Sequence, residues 1–235
     1  MPAHRLLSVL SVLLVAVVLL VTGTAQAHTS GGAIPRYDHV FMMVEENHGF
    51  QDIIGNPQAP TINALARSYG LSTQYYATTH PSGPNYVAML GGGSFGVNND
   101  DAYWLFGVDQ PSLMSQLDAA GLSWRGYYEG MPYPGYRGYC YPVRCLGVPD
   151  SDTLYIAKHN GVVYFHGVNA NPREAAKMRP LSDLQRNLNR GRVPAFSYVI
   201  PDECHDMHGA PPVCIDSGDN GDVDDNQLVS TADAF

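Results

Sequence analysis

The sequence predicts an α/β domain built on a mostly parallel sheet. Strand-like apolar runs alternate with segments of helical spacing, and polar clusters recur directly after the strands. The composition agrees: 45% of the 235 residues are hydrophobic and only 15% are charged, with 15 Tyr and 7 Phe, which excludes a disordered acidic tail. Twenty-four Gly and 17 Pro imply many turns between these elements.

The continuous apolar run from His39 to Val44 reads as a buried first strand. Ile62, Leu65, Ala66 and Tyr69 follow at helical spacing, and Gly70 ends that helix. Residues 72–77 read as a second strand. Residues 85–90 form a short helix stopped by three glycines at 91–93. A helix over 112–120 has Ser112 as its N-cap and Gly121 as its terminator. Residues 123–128 read as a third strand. Leu181, Leu184 and Leu188 mark another helix, and residues 195–200 a fourth strand closed by Pro201. Between them, residues 129–160 form a Tyr-, Pro- and Gly-rich insertion, expected as a loop over one face.

The N-terminus reads as a targeting segment. His4 and Arg5 precede an apolar run from Leu6 to Val21, and Ala25 and Ala27 supply the small residues of a cleavage site after Ala27. An uncleaved anchor is the alternative, but the run is shorter than the roughly 20 residues of a spanning helix. Residues 1–27 are thus expected as a signal peptide and 28–235 as one exported domain without a stable membrane span. Export makes disulfides plausible. Four cysteines allow three connectivities, of which the local pairs Cys140–Cys145 and Cys204–Cys214 are expected. A zinc site is the rival, but neither spacing is C-x2-C. A net charge of −9 with 13 Lys and Arg argues against a nucleic-acid partner.

In a parallel sheet, ligands gather beyond the carboxyl ends of the strands. Glu46-Asn47 follows the first strand. Its carboxylate suits a divalent metal and its amide a phosphate oxygen, or the pair is a solvated turn. His80, Ser82 and Asn85 follow the second. Ser82 is either a helix N-cap or a nucleophile whose developing charge the helix N-terminus would stabilise. Glu129 follows the third. Asp202, Glu203, His205, Asp206 and His208 crowd after the fourth, a pattern that suits a metal or a phosphate. Lys158-His159 is a weaker cluster. The acidic loop at 216–225 half resembles a calcium loop but has Gln227 where the last ligand belongs. No G-x-S-x-G, Walker, G-x-G-x-x-G or H-E-x-x-H motif is present.

Together the segments 39–48, 59–65, 79–86, 158–160, 197–202 and 206–208 resemble the secreted phosphoesterase family. That family includes bacterial and fungal acid phosphatases, is related to phospholipases C, and belongs to the alkaline-phosphatase-like superfamily. The resemblance implies a three-layer αβα sandwich and hydrolysis of phosphoric esters on small molecules or lipid headgroups. It also implies a divalent metal of unstated identity. Ser82 would be the nucleophile, forming a phosphoserine, with Asn85 and His80 assisting. Glu46, Asn47, Asp206 and His208 would hold metal, and Lys158, His159 and His205 would line the phosphate pocket. The chain departs from the family in having His48-Gly49 where Arg-Ser is usual. The family also continues beyond a segment like 229–235 into a strand bearing an acidic metal-binding pair. The resemblance therefore implies a sheet and metal site incomplete at the C-terminus. The alternatives are a phospholipase C-like phosphodiesterase, an inactive phosphate-binding pseudoenzyme, and a disulfide-stabilised adhesion domain.

Overall fold

The computed structural model describes residues 34–142, 145, 153–210, 213–214 and 225–235. The expected signal peptide and residues 216–224 of the acidic loop lie outside them. The chain divides into two units, residues 1–37 and 38–235. Residues 34–37 of the first carry no regular secondary structure; the second holds every element below.

The elements run β1 (Val40–Met43), α1 (Phe50–Ile53), α2 (Pro60–Ser68), α3 (Ser82–Gly91), α4 (Leu113–Ala119), β2 (Trp124–Tyr128), β3 (Cys140–Tyr141) and β4 (Tyr155–Ile156). After these come α5 (Ala157–Asn160), α6 (His166–Asn169), α7 (Pro172–Ala175), β5 (Met178–Pro180), α8 (Ser182–Asn189), β6 (Phe196–Ile200) and α9 (Asp225–Ala234). The central sheet has the order β1-β6-β2-β5, and every pairing in it is parallel. Helices flank it, as in the expected sandwich. β3 and β4 form a separate antiparallel ribbon inside the 129–160 insertion.

The core is aromatic. Trp124, Tyr127, Tyr128 and Tyr198 of the two central strands are buried with Tyr86, Leu90, Tyr164 and Phe165. A smaller cluster joins Ala59, Met207, Val229 and Ala232, so α9 packs beside α2. Asp233 of α9 accepts the Thr61 and Ile62 N–H groups at the start of α2, satisfying donors that a helix cannot pair internally. Both expected disulfides form, Cys140–Cys145 and Cys204–Cys214.

Three sequence expectations are corrected. Residues 72–77 form no strand, and Tyr75 and Tyr76 are exposed. Their β propensity lacks a neighbour to pair with, since β6 is flanked by β1 and β2. The first strand is not buried: among the described residues it borders only β6, and Val40, Phe41 and Met43 stay about half exposed. The fourth member of the sheet is instead β5, a three-residue strand with no apolar run. Its Pro180 is tolerated because β5 is an edge.

Candidate active site

Glu46, Ser82, His159, Glu203, Asp206 and His208 converge beyond the carboxyl ends of β1 and β6. Glu46 is fixed where the chain leaves β1, its N–H donating to the Asp206 carbonyl at 2.7 Å. Ser82 opens α3, and its Oγ donates to Glu46 Oε1 at 3.1 Å. The Gly83 N–H behind it donates to Asp100 Oδ1 at 2.7 Å. A Cβ on Gly83 would lie 3.0 Å from the Tyr164 hydroxyl and 3.1 Å from Asp100, so this turn has little room beyond glycine.

His159 is the hub. It lies on α5, fully buried, with its ring stacked on Tyr86 at 5.2 Å. Its Nε2 is 2.5 Å from Glu46 Oε1, and its Nδ1 is 2.8 Å from Glu203 Oε1 and 2.9 Å from Asp206 Oδ2. His208 extends the cluster: its Nδ1 is 3.0 Å from Glu203 Oε2, and its Nε2 is 3.2 Å from Lys158 Nζ. Lys158 is itself buried and lies 3.9 Å from Asp100. Met207, between Asp206 and His208, adopts a positive φ of 75° and is buried against α9's cluster. That anchor aims its two neighbours at the site.

The electrostatics follow from burying three carboxylates around one imidazole. Burial acts to raise the Glu46 carboxyl, but His159, then His208 and Lys158, outweigh it and hold it below its ordinary value. Burial likewise opposes ionisation of Glu203, yet His159 and His208 pull it far down. Asp206 goes the other way, to about 6, because burial and the charges of Glu203 and Glu46 exceed the help from His159. Burial disfavours a charged His159, but Glu203 and Glu46 raise it well above a free imidazole.

Three atoms at this convergence, His159 Nε2, Glu203 Oε1 and Asp206 Oδ2, are buried and make no hydrogen bond of sound geometry despite their closeness. Buried polar atoms are normally paired. His159, Glu203 and Asp206 offer ligand atoms within 4.8 Å of one another, as do Glu46, His159 and His208. Carboxylate oxygens and imidazole nitrogens at such spacing fit a hard to borderline divalent cation, whose charge would replace the protons that these groups now draw in.

Of the residues singled out in the sequence, Ser82, Glu46, Lys158, His159, Asp206 and His208 are brought together. The other four sit elsewhere. Asn47, at φ 66°, is exposed beside Glu46, and its side chain makes no hydrogen bond among the described residues. Asn85 uses its whole amide on the loop before Ser82: Oδ1 accepts the Thr78 and Thr79 N–H groups, and Nδ2 donates to the Thr79 and Pro81 carbonyls. His80 is exposed at the tip of that loop. His205 joins a second group, its Nδ1 2.8 Å from Glu129 Oε2 and 3.3 Å from Asp202 Oδ1. Sequence reasoning counted Glu203 in the cluster suited to a metal or a phosphate but gave it no role of its own, and it gave Asp100 none. Glu203 lay within the acid- and His-rich stretch after β6, but nothing local marked it as the most deeply engaged acid. Asp100 carried no signal at all.

Comparison with known proteins now decides the family. The phosphoesterase family model matches residues 56–220. The chain belongs to the phosphoesterase family. It is 32% identical over 206 residues to a phosphatidylinositol-3-phosphatase of Mycobacterium tuberculosis, covering 87% of this chain and 63% of that protein. It is 29% identical to an acid phosphatase of Aspergillus fumigatus and 30% identical to a phosphate-repressible acid phosphatase of Penicillium chrysogenum. Each of these matches covers 77% of this chain, but only 38% and 41% of those relatives' lengths. Among the described residues no helix is long and apolar enough to cross a membrane.

Proposed function

We propose that this phosphoesterase-family chain is a secreted, metal-assisted phosphoric ester hydrolase of the acid-phosphatase kind, with Ser82 as nucleophile. The observation that carries the reading is the hydrogen bond from Ser82 Oγ to Glu46, at the mouth of α3 and beside buried acid and imidazole atoms that crowd together without a well-formed hydrogen bond. The acid-phosphatase relatives support the reaction class. The relative named for a phosphoinositide supports a lipid headgroup or similar phosphorylated small molecule as substrate. The two disulfides support an oxidising, extracytoplasmic location.

Ser82 Oγ attacks phosphorus, its proton passes to Glu46, and the ester P–O bond breaks. The phosphoryl group is then carried on serine until water cleaves the phosphoserine to inorganic phosphate and free hydroxyl. Glu46 is locked by His159, so it holds the hydroxyl in one direction. The N-terminus of the ten-residue α3 and the Lys158 ammonium favour the negative charge of the phosphoryl oxygens. The departing alcohol takes its proton from water, while His208 stays between Glu203 and Lys158, among the groups that would hold a cation. A divalent cation held by Glu46, Glu203, Asp206 and His208, with Asn47 at its edge, would polarise the phosphoryl group and favour ionised serine. Asn85 acts on the backbone that presents Ser82.

The test is p-nitrophenyl phosphate hydrolysis from acidic to alkaline pH, with and without added divalent metals, beside Ser82→Ala. Metal-dependent turnover lost in the variant is the expected result. A folded wild-type protein that neither hydrolyses the ester nor becomes phosphorylated on Ser82 would sink the reading.

A further inference from the structure

At the other end of the sheet, where β2 and β6 begin, a recess of about 380 Å³ opens beside Ser123, Trp124, Arg125, Lys177 and Arg192. That volume is within the roughly 300–1,000 Å³ of small-molecule sites. Three of these residues are cationic, and among the described residues no acid lines the recess. The chain as a whole has the opposite balance, 22 Asp and Glu against 13 Lys and Arg. The acids nearby are already engaged. Lys177 Nζ lies 2.6 Å from both Asp118 Oδ1 and Glu174 Oε2, and 4.9 Å above the Trp124 ring. Asp183 is shared by Arg179 and Arg186. Arg125 and Arg192 are left over, with no hydrogen bond or ion pair to either guanidinium among the described residues. Arg125 also bears on the neighbouring strand: burial, and then the Arg125 charge, hold Arg179 below its ordinary value. Like charges left unbalanced in this way cost free energy that a bound anion would recover. Ser123 adds a further donor, since its Oγ accepts the Ala195 N–H at 3.0 Å and its own proton has no acceptor among the described residues.

Guanidinium groups are planar forks whose parallel N–H donors match the oxygens of a phosphate. We propose that this recess is a second oxyanion site, separate from the Ser82 centre, that takes the phosphate group of a soluble small molecule between Arg125 and Arg192, with Ser123 as a further donor. Arg125 is half-buried on β2, so the strand restrains it before a ligand arrives, while Arg192 stands more exposed in the loop that enters β6. The recess and the Ser82 centre lie at opposite ends of the strands, and a strand of five residues alone spans roughly 16 Å. That separation favours a soluble ligand over a lipid headgroup, because a bilayer resting on the recess would leave the Ser82 centre facing away from it. The site does not depend on the hydrolase chemistry proposed for Ser82.

Inorganic phosphate is titrated calorimetrically into the chelator-treated full chain, in which no metal can hold phosphate at the Ser82 centre. Saturable binding is expected, with a Kd on the order of a millimolar, as a few charge-assisted hydrogen bonds supply. It should persist in Ser82→Ala and weaken about tenfold in Arg125→Gln and, separately, in Arg192→Gln, each of which removes one fork. Both arginines are at least partly open to water, so the variants should fold, and equal melting temperatures verify this. Glycerol 3-phosphate should bind in the same way and lose affinity in the same two variants. Absence of saturable binding overturns the site, as does binding that ignores both arginine substitutions. Phosphate binding lost in Ser82→Ala belongs to the catalytic centre and overturns it too. Capture by phosphatidylcholine vesicles carrying a phosphoinositide, without binding of either soluble anion, would give this face to a lipid surface instead. None of these results bears on whether Ser82 hydrolyses esters, which p-nitrophenyl phosphate turnover reads separately.

Discussion

Two acid–imidazole groups sit beyond the carboxyl ends of the same sheet, and they share the loop after β6. One joins Glu46, His159, Glu203, Asp206 and His208; the other joins Glu129, Asp202 and His205. Their residue types are alike, yet their physics differs. In the second group the hydrogen bonds close on themselves: Glu129 accepts from the Asp202 N–H at 3.1 Å and pairs with His205, and Asp202 caps the Cys204 N–H. His205 and Glu129 are partly open to water. In the first group His159, Glu203 and Asp206 are buried, and His159 Nε2, Glu203 Oε1 and Asp206 Oδ2 crowd together without a well-formed hydrogen bond. Both groups offer ligand atoms close enough for a cation, but the second ties β2 to β6 with its own hydrogen bonds, whereas the first is more deeply buried and leaves atoms without a well-formed one.

The largest expected effect is at Ser82. Ser82→Ala should lower phosphomonoester turnover by on the order of 10³-fold or more, as removal of a nucleophile does, while leaving the melting temperature nearly unchanged. Mass spectrometry of rapidly quenched wild-type protein should find the phosphoryl group on Ser82, and finding it on another side chain would move the nucleophile.

Next comes the cation. Dialysis against a chelator should abolish turnover and readdition of a divalent metal restore it. Glu203→Gln should weaken metal retention by roughly 10–100-fold, the range seen when a group supporting a metal site is altered. Calorimetric metal titration checks this. If Glu129→Gln weakens metal binding as much as Glu203→Gln does, the contrast between the two groups is lost.

A smaller effect is expected at the clasp. Glu129→Gln keeps a hydrogen-bond acceptor for the Asp202 N–H but loses the charge that faces His205, so stability should fall by about 1 kcal/mol. A chain of this size would then melt a few degrees lower, about 2–4 °C.

The smallest effect is in pH. Hydrogen bonds to Asp202 and Glu129 raise His205 to about 10. A group whose affinity for a proton rises on folding stabilises the folded state while it is protonated in both states. The clasp is therefore at full strength below about pH 6.5, the ordinary imidazole value, and fades as the pH climbs toward 10. His205→Asn should flatten the stability profile over that window. A profile with unchanged slope there would remove His205 from the account.

Several features were legible along the chain because they are local. The strand at 196–200, the helices at 113–119 and 182–189 and both disulfides needed only neighbouring residues to declare themselves. Ser82 at a helix start and the crowd of acids and histidines at 202–208 were visible for the same reason. β5 was not legible, since Met-Arg-Pro has no strand pattern and is held by pairing with β2. The exposure of β1 was not legible either, because an apolar run states a preference and not which neighbours satisfy it.

The sequence by itself determined the α/β class, the order of the polar clusters and the residue types available for phosphoester chemistry. Periodicity, turn residues and short cysteine spacings act within a few residues, so they can be read in one dimension. Only the tertiary structure decided that Glu203 joins His159 while His205 turns away to Glu129. It likewise decided that Asn85 serves the backbone of its own loop, and that Asp100 takes the Gly83 N–H beside Ser82. Those choices depend on burial and on which distant strand ends lie side by side, and adjacency across tens of residues leaves no mark in local spacing.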